Sequence, residues 1–153
     1  SLYNVGSVFR TADAVGVEKI YLTGITPTPL DRFGKLRSQF AKVSLGAEKS
    51  VPWNHSANSP RAVVKLLGNL KKDGYKIFAV EQGVRAIPYY ELTKIYETSK
   101  IVLVLGNEVR GLPPSILKCA DKILAIPMMG EKESLNVAVA FGIVAYHLSF
   151  VGR

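Results

Sequence analysis

Three short segments of this 153-residue chain combine glycines with polar side chains that could hold a ligand or take part in chemistry. In chain order they read NVGSVFRTAD from Asn4, LVLGNEVRGL from Leu103 and IPMMGEKESLNV from Ile126. Each lies where a predicted helix or strand meets a loop, and α/β proteins commonly build their ligand sites at such junctions. The three segments are therefore the candidate functional site.

The second segment follows a predicted strand that ends at Leu105. Gly106 would let a ligand approach the backbone with no side chain in the way, and Gly111 would shape the turn into the next helix. Glu108 in this corner could bind ribose hydroxyls or an amino group. The spacing is neither a dinucleotide-binding GxGxxG nor a phosphate-binding Walker loop, since no Gly-Lys-Ser/Thr follows. A plain strand–turn–helix corner is the alternative interpretation.

The third segment repeats this arrangement of strand, loop and helix start. Ser134 suits the N-cap of the last helix. Asn136 is harder to explain on a helix that is otherwise apolar. We expect it to hydrogen-bond a group near the helix start, where free N–H groups also favour anions.

Arg10 in the first segment is a candidate for contact with a phosphate. It follows Asn4, a predicted helix cap, by six residues, so the two side chains point to different sides of an ideal helix. Apolar residues flank Arg10, and the planar donor fork of a guanidinium matches a phosphate well. The alternative is an ion pair with Asp13 or with a glutamate elsewhere.

The charge of the chain favours a polyanionic partner. Lys and Arg number 20 against 12 Asp and Glu, a formal net charge of +8. Such an excess favours nucleic acid before a membrane surface, although a merely basic, solvated surface is the alternative. The irregular segment 25–58 contributes much of the excess. Its candidate nucleic-acid contacts are Arg32, Lys35, Arg37 and Lys42.

Cysteine, histidine and hydropathy patterns argue against disulfides, metals and membranes. Cys119 is the only cysteine, so an intrachain disulfide and a cysteine zinc site are excluded, and we expect this thiol to be packed in the core. His55 and His147 lie in no ligand spacing, so a metal site is not expected. The apolar stretch 135–151 is shorter than the roughly 20 residues of a membrane helix, which favours a buried or interface helix. The default location is a reducing cytoplasm.

Hydrophobic periodicity alternates between helix and strand along the chain. We predict one α/β domain over residues 1–153, with a mainly parallel sheet flanked by helices. The continuously apolar run 101–105 is typical of a strand buried on both faces of such a sheet. The predicted helices are 4–16, 38–45, 59–74, 114–119 and 134–150, and the predicted strands are 18–24, 76–80, 101–105 and 122–126, with an extended piece at 51–53.

Together, the three segments resemble motifs one, two and three of the SpoU/TrmH RNA ribose methyltransferases of the SPOUT superfamily. The matching patterns are Asn-x-Gly-x-x-x-Arg-Thr-Ala, Leu-Gly-x-Glu-x-x-Gly-Leu, and Ile-Pro-Met-x-Gly followed by Ser-Leu-Asn-Val. The match runs from Asn4 to His147 in the order and separations of the family. Any single motif is weak, whereas three in register are highly specific.

The resemblance implies an α/β fold with a C-terminal trefoil knot, an exception to the usual unknotted topology. It also implies binding of S-adenosyl-L-methionine within the knot loops and methylation of a ribose 2′-hydroxyl in tRNA or rRNA. Family members act as homodimers with shared active sites, so the last helix would be a dimer interface. They usually have a strand before the residues that match Ser1, so we expect that strand to precede the printed residues or to be lost.

The resemblance also implies roles for individual residues. Arg10 would act on the target ribose and an RNA phosphate, although a guanidinium is a poor general base. The catalytic set implied is Asn4, Arg10, Glu108, Ser134 and Asn136. The cofactor-binding set implied is Val80, Glu81, Leu105, Gly106, Asn107, Gly111, Ile126, Pro127, Met128, Ser134 and Leu135. The basic residues from Arg32 to Lys49, together with Arg10, would bind the RNA.

Three other functions remain as alternatives. A non-catalytic RNA-binding protein could retain the fold, but loss of Arg10 or Asn136 would be expected there. A base-modifying methyltransferase of the same superfamily would need another catalytic group, often an aspartate, in place of Arg10. A nucleotide-phosphate-binding protein is weakened by the missing phosphate-loop lysine. The sequence does not specify the RNA or the nucleotide.

Overall fold

The computed structural model describes residues 1–93 and 100–151. The chain divides into two compact units, residues 1–59 and residues 60–153. Every pairing between the strands named below is parallel, and helices alternate with the strands along the chain. The predicted α/β class with parallel strands is therefore confirmed. The single domain stays a prediction, and each unit is described by itself.

The first unit contains a two-stranded parallel sheet and three helices. The strands pair from Ile20 opposite Trp53 to Thr23 opposite Ala57. The extended piece predicted at 51–53 overlaps this sheet only at Trp53, where the second strand begins. The elements are α1 (Leu2–Val15), β1 (Ile20–Thr23), α2 (Ser38–Ser44), α3 (Ala47–Ser50) and β2 (Trp53–Ala57).

Helix α1, which carries motif one, begins earlier than predicted. Ser1 is its N-cap, and the Ser1 Oγ accepts the backbone N–H of Asn4 at 3.2 Å. The prediction that Asn4 caps the helix is wrong, because Ser1 supplies the acceptor three residues before it. The predicted end is confirmed, since Gly16 takes the left-handed conformation with φ 73°.

Aromatic packing fixes α1 within the first unit. Phe9 is fully buried, with its ring edge-on to Phe40 at 5.2 Å and to Trp53 at 6.4 Å between centroids. A Cβ at Gly6 would lie 3.1 Å from the Cβ of Val43, so glycine permits the close approach of α1 and α2. This packing buries one face of α1 and leaves Arg10 exposed.

The second unit is a four-stranded parallel sheet in the order β4-β6-β3-β5. A 3₁₀ turn at Tyr89–Glu91 follows β4. The elements are α4 (Pro60–Lys72), β3 (Tyr75–Val80), β4 (Ile87–Pro88), β5 (Lys100–Leu105), α5 (Pro114–Leu117), β6 (Lys122–Ala125) and α6 (Val137–Phe150).

The prediction that the run 101–105 is buried on both faces is wrong. This run is β5, which among the described residues pairs with β3 alone, lies at the edge of the four-stranded sheet and is half-buried. The strand is apolar because side chains such as Ile101 and Leu103 pack on the core around Val144 of α6. The more buried strand is β3, which lies between β6 and β5 and whose buried residues include Ile77 and Phe78.

Cys119 does not belong to the buried core that we predicted for it. Helix α5 ends at Leu117, two residues before the end predicted from the sequence, so Cys119 lies in the following turn. Its side chain is partly exposed, with Sγ 3.4 Å from the carbonyl oxygen of Ser115. The prediction placed it inside a helix that is in fact shorter.

Asp121 joins the beginning of β6 to β3 and to α4. Its carboxylate accepts the N–H of Ile77 at 2.7 Å and contacts Lys71 Nζ at 3.0 Å. Burial raises the pKa of Asp121, but the Ile77 hydrogen bond and the charges of Lys71 and Lys76 outweigh it and leave the pKa below its usual value. This stabilisation is therefore present at neutral pH and is lost as the pH falls through the lowered pKa.

Helix α6 remains apolar on most of its surface. Phe141, Val144 and Ala145 are buried, but Val139 and Tyr146 are about half exposed, at 50% and 46%. Among the described residues, no helix has the length and hydropathy to cross a membrane. The exposed apolar face of α6 therefore needs another explanation.

Candidate active site

The ends of three neighbouring strands form a pocket within the second unit. Strands β6, β3 and β5 are adjacent, and Val80 at the end of β3 is in register with Leu105 of β5 and Leu124 of β6. A cavity of about 430 Å³ lies at this edge. Parallel sheets commonly bind ligands at the carboxyl ends of their strands, in cavities of roughly 300–1,000 Å³.

Motifs two and three both line this pocket. Pro127 and Met128, which belong to the predicted cofactor set, are not among its lining residues. Pro127 is exposed and Met128 is half-buried, and their role stays a prediction. The predicted site residues that do line the pocket are Val80, Glu81, Leu105, Gly106, Asn107, Glu108, Gly111, Ile126, Ser134 and Leu135.

Asn107 closes the turn of motif two. Its Oδ1 accepts the N–H groups of Val109 and Arg110 at 2.9 and 3.2 Å, and its carbonyl oxygen accepts the N–H of Gly111 at 2.8 Å. Gly111 has φ 62°, a conformation that favours glycine. The Asn107 side chain therefore serves first to build the loop that lines the pocket.

Gly106 allows the two ends of the motif-two turn to lie close together. A Cβ at this position would lie 2.6 Å from the carbonyl carbon of Gly111 and 2.8 Å from the nitrogen of Leu112. Real side chains do not tolerate such distances to backbone atoms. The sequence predicted that this glycine lets a ligand approach the backbone. In the structure, the space left by the missing side chain is taken first by the backbone of Gly111 and Leu112 at the end of the motif-two turn.

Glu81 and Gln82, directly after β3, tie the three loops of the pocket together. Glu81 Oε2 accepts the N–H of Leu112 at 2.9 Å, which fixes the end of the motif-two turn. Gln82 Nε2 donates to the carbonyl oxygen of Ile126 at 2.8 Å, which fixes the start of motif three. The backbone of the pocket is thus held by two adjacent side chains.

Replacement of Glu81 tests this bracing role. Glu81→Gln keeps an oxygen that can accept the Leu112 N–H, so we expect ligand affinity close to that of the wild type. Glu81→Leu leaves that N–H without its acceptor, and we expect affinity to fall about tenfold, the scale of a lost hydrogen bond to a charged group. Calorimetry measures the affinity of both variants for S-adenosyl-L-homocysteine, the demethylated form of the cofactor that the resemblance implies. Equal affinity of the two variants would show that the contact does not shape the pocket.

Motif three begins α6 in a different register from the predicted one. The N-cap is Asn136, whose Oδ1 accepts the N–H groups of Ala138 and Val139 at 2.9 and 3.4 Å. The prediction that Ser134 caps the helix is wrong, because α6 begins at Val137. Ser134 is instead exposed at the pocket lining. The expected hydrogen bond of Asn136 near the helix start is present.

Sequence reasoning missed several lining residues. Gln82 is the second residue after the end of β3, and that position alone could have marked it. Val137 and Ala140 lie three residues apart on the first turn of α6, so helical spacing from motif three could have found them. The residues missed are Gln82, Val109, Arg110, Leu112, Glu133, Val137 and Ala140.

Asn4 and Arg10 belong to the first unit, and their catalytic roles stay predictions. Arg10 is exposed, and Asn4 is half-buried. Among residues 1–59, all of which the structure describes, no salt bridge joins Arg10 to Asp13. Asp13 instead accepts the hydroxyl of Ser50 at 2.6 Å. The ion-pair alternative with Asp13 is therefore wrong.

The predicted RNA contacts of the first unit differ in exposure. Arg32, Lys35 and Lys42 are exposed, as a role in binding requires. Arg37 is half-buried, and its Nε donates to the carbonyl oxygen of Leu30 at 3.3 Å. Arg37 therefore has a structural contact within its own loop. No cluster of three or more His, Cys, Asp or Glu suited to a metal occurs in the part of the chain that the structure describes.

Known proteins resemble the chain over nearly its whole length. The tRNA (guanosine(18)-2′-O)-methyltransferase of Aquifex aeolicus is 34% identical over 145 residues, 94% of this chain and 62% of that protein. The 23S rRNA (guanosine(2553)-2′-O)-methyltransferase RlmP of Bacillus subtilis is 33% identical over 148 residues, 95% of this chain and 52% of that protein. The chain thus spans between half and two thirds of the length of these curated relatives.

Solved structures and a family model agree with these relatives. The crystal structure of the A. aeolicus TrmH/SpoU tRNA-modifying enzyme has a TM-score of 0.79 at 32% identity, covering 97% of this chain and 68% of that one. An AdoMet-bound rRNA methyltransferase from Sinorhizobium meliloti has a TM-score of 0.80 at 28% identity, covering 95% and 51%. The model of the SpoU rRNA methylase family matches residues 1–146. The resemblance carried by the three motifs is thereby confirmed, and this chain belongs to the SpoU rRNA methylase family.

Proposed function

We propose that this protein is an S-adenosyl-L-methionine-dependent methyltransferase that acts on a ribose 2′-hydroxyl of a tRNA or rRNA. The observation that carries the proposal is the pocket at the strand ends, which motifs two and three of the family line together. The names of the relatives support it, because both describe guanosine 2′-O-methyltransferases of tRNA or 23S rRNA. The net charge of +8 suits an RNA substrate.

The residues of the pocket fit the proposed cofactor. Val80, Leu105 and Ile126 offer an apolar surface for an adenine ring, at the end of a parallel sheet. The carboxylate of Glu108 would accept hydrogen bonds from ribose hydroxyls or from the amino group of the methionine part. When bound, S-adenosyl-L-methionine supplies a methyl group on a positively charged sulfur. The carboxylates around the pocket, Glu81, Glu108 and Glu133, favour that charge.

Residues of the chain would orient the 2′-hydroxyl for in-line attack and assist removal of its proton. Arg10 would hold an RNA phosphate and the target ribose through its two-point donor fork. A guanidinium stays protonated at neutral pH, so orientation is the role we assign to it. Ser134 and Glu108 would position the ribose from the pocket lining, with Asn4 on the motif-one helix. Asn136 would act by fixing the start of α6.

The fold-level features of the family complete the proposal. We propose that the C-terminal part of the chain forms a trefoil knot around the pocket and that the residues 1–153 act as one domain. The protein would work in the cytoplasm, where tRNA and rRNA are made and modified in bacteria.

Mapping of 2′-O-methyl sites in total RNA from cells with and without the gene tests the function. A site lost with the gene supports the proposal, and an unchanged map contradicts it.

We further propose a homodimer in which α6 and part of α1 form the interface. The exposed apolar residues of α6 support this, since Tyr146 and Phe150 stack at 6.1 Å and are 46% and 58% exposed. A solvated monomer would gain nothing from that exposure, and a symmetric interface would bury it. We expect sedimentation at tens of micromolar protein to give the mass of a dimer, because an apolar interface of this kind is typical of stable homodimers. A stable monomer would contradict the proposal.

A further inference from the structure

Residues 30–36 form a small hairpin in the first unit, here called the tip hairpin. Leu30 and Leu36 pair as an antiparallel bridge at its base. Across the turn, the N–H of Asp31 donates to the carbonyl oxygen of Lys35 at 2.8 Å, and the N–H of Gly34 donates to that of Asp31 at 3.0 Å. Gly34 has φ 76°, which permits the tight reversal of the chain.

Side chains hold the tip hairpin in one conformation. Asp31 Oδ1 accepts the N–H groups of Phe33 and Lys35 at 2.8 and 2.9 Å. At the base, the carbonyl oxygen of Leu30 accepts the hydroxyl of Thr28 at 2.7 Å and the Nε of Arg37 at 3.3 Å. Because the loop is already ordered, little conformational entropy would be lost when it binds a partner.

This ordered turn presents one aromatic ring between two cations. Phe33 is 79% exposed, and Arg32 and Lys35 beside it are exposed too. The guanidinium carbon of Arg32 lies 4.7 Å from the centroid of the Phe33 ring. Single exposed apolar residues are common on protein surfaces. Here, however, four hydrogen bonds within residues 31–35 order the backbone that carries Phe33, and the exposed ring adds nothing to the core.

We propose that Phe33 stacks on an unpaired base of the RNA substrate while Arg32 and Lys35 contact the neighbouring phosphates. The inference rests on the proposed function, since it assumes that RNA binds. Aromatic side chains recognise RNA by stacking on bases that are splayed out of loops, and arginine adds a cationic and planar contact. A paired duplex hides the faces of its bases. The tip hairpin would therefore favour RNA with an unpaired loop.

Two fluorescently labelled RNAs test the inference by anisotropy, a stem–loop with an unpaired loop and a fully paired duplex of the same length. We expect Phe33→Ala to weaken binding of the stem–loop by about fivefold to a hundredfold, the range for a lost base–aromatic stack. The affinity of the same variant for the duplex should not change. Phe33→Trp should keep the preference for the stem–loop. Arg32→Ala should weaken binding of both RNAs and flatten the dependence on salt.

Ile25→Ala is the matched control, because Ile25 is an apolar residue of the same unit that is 94% exposed and lies outside the tip hairpin. We expect it to bind both RNAs as the wild type does. If Phe33→Ala binds the stem–loop as tightly as the wild type, or changes only the sedimentation of the protein, the stacking role is overturned and the proposed function stands. If the wild type binds neither RNA, both proposals fall.

Discussion

Arg10→Ala is expected to cut methyl transfer to RNA by at least about a hundredfold, the scale of a lost catalytic group, and to leave the affinity for S-adenosyl-L-methionine nearly unchanged. The exposed position of Arg10 on α1 and the lack of a salt bridge to Asp13 leave its guanidinium available to RNA. The cofactor pocket is built from residues of the second unit. Loss of Arg10 should therefore affect the RNA side of the reaction.

Arg10→Lys should not restore turnover, because an ammonium group cannot reproduce the planar two-point contact with a phosphate. Arg61→Ala is the matched control, since Arg61 is also an exposed arginine on a helix and belongs to no motif. Melting, cofactor affinity and turnover are measured on the same preparations. A structural role for Arg10 would lower the melting temperature and spare the turnover per molecule. Near-normal turnover in Arg10→Ala would place the chemistry on another residue.

Gly106→Ala is expected to disrupt the pocket itself. The added Cβ would lie within 2.8 Å of three backbone atoms of Gly111 and Leu112, so the motif-two turn must move. We expect the wild type to bind S-adenosyl-L-methionine with a dissociation constant from about one to tens of micromolar, roughly 6–8 kcal/mol. The variant should bind at least about tenfold more weakly and lose about 1–3 kcal/mol of unfolding free energy, as overpacked sites do.

Gly68→Ala is the control for this substitution. Gly68 lies within α4, and a Cβ there would meet no atom within 4 Å outside its own helix backbone. Alanine favours helix over glycine by up to about 1 kcal/mol, so this variant should unfold at the same or a higher temperature and bind normally. Calorimetry and thermal melts compare the two. Normal cofactor binding by Gly106→Ala would mean that the motif-two turn does not shape the cofactor site.

Local patterns in the sequence were sufficient to predict most elements of the fold. Gly16 was predicted to end α1 because glycine adopts the left-handed conformation, and it does. The position of a strand within a sheet depends on partners far along the chain. The apolar run of β5 therefore suggested a central strand, whereas it lies at the edge and packs on α6. The caps were misassigned for a similar reason, since Ser134 and Asn136 both suit an N-cap and only the backbone decides between them.

The candidate site, too, could be predicted only in part from local sequence patterns. Motifs two and three follow strand ends, so their common pocket could be predicted from the sequence. The contacts that brace it could not, because Glu81 lies 31 residues from Leu112, and Gln82 lies 44 residues from Ile126. The steric need for glycine at position 106 could not be predicted either, because it comes from the close backbone of Gly111.

The central claim is that this protein transfers a methyl group to a ribose 2′-hydroxyl, and radiolabel transfer tests it most directly. The purified protein is incubated with S-adenosyl-L-methionine labelled in the methyl group and with tRNA and rRNA from cells that lack the gene. The RNA is then hydrolysed with alkali. A 2′-O-methyl group blocks alkaline cleavage at its own nucleotide, so the account predicts label in alkali-resistant dinucleotides. Label in methylated bases of single nucleotides, or no transfer to either RNA, would contradict it.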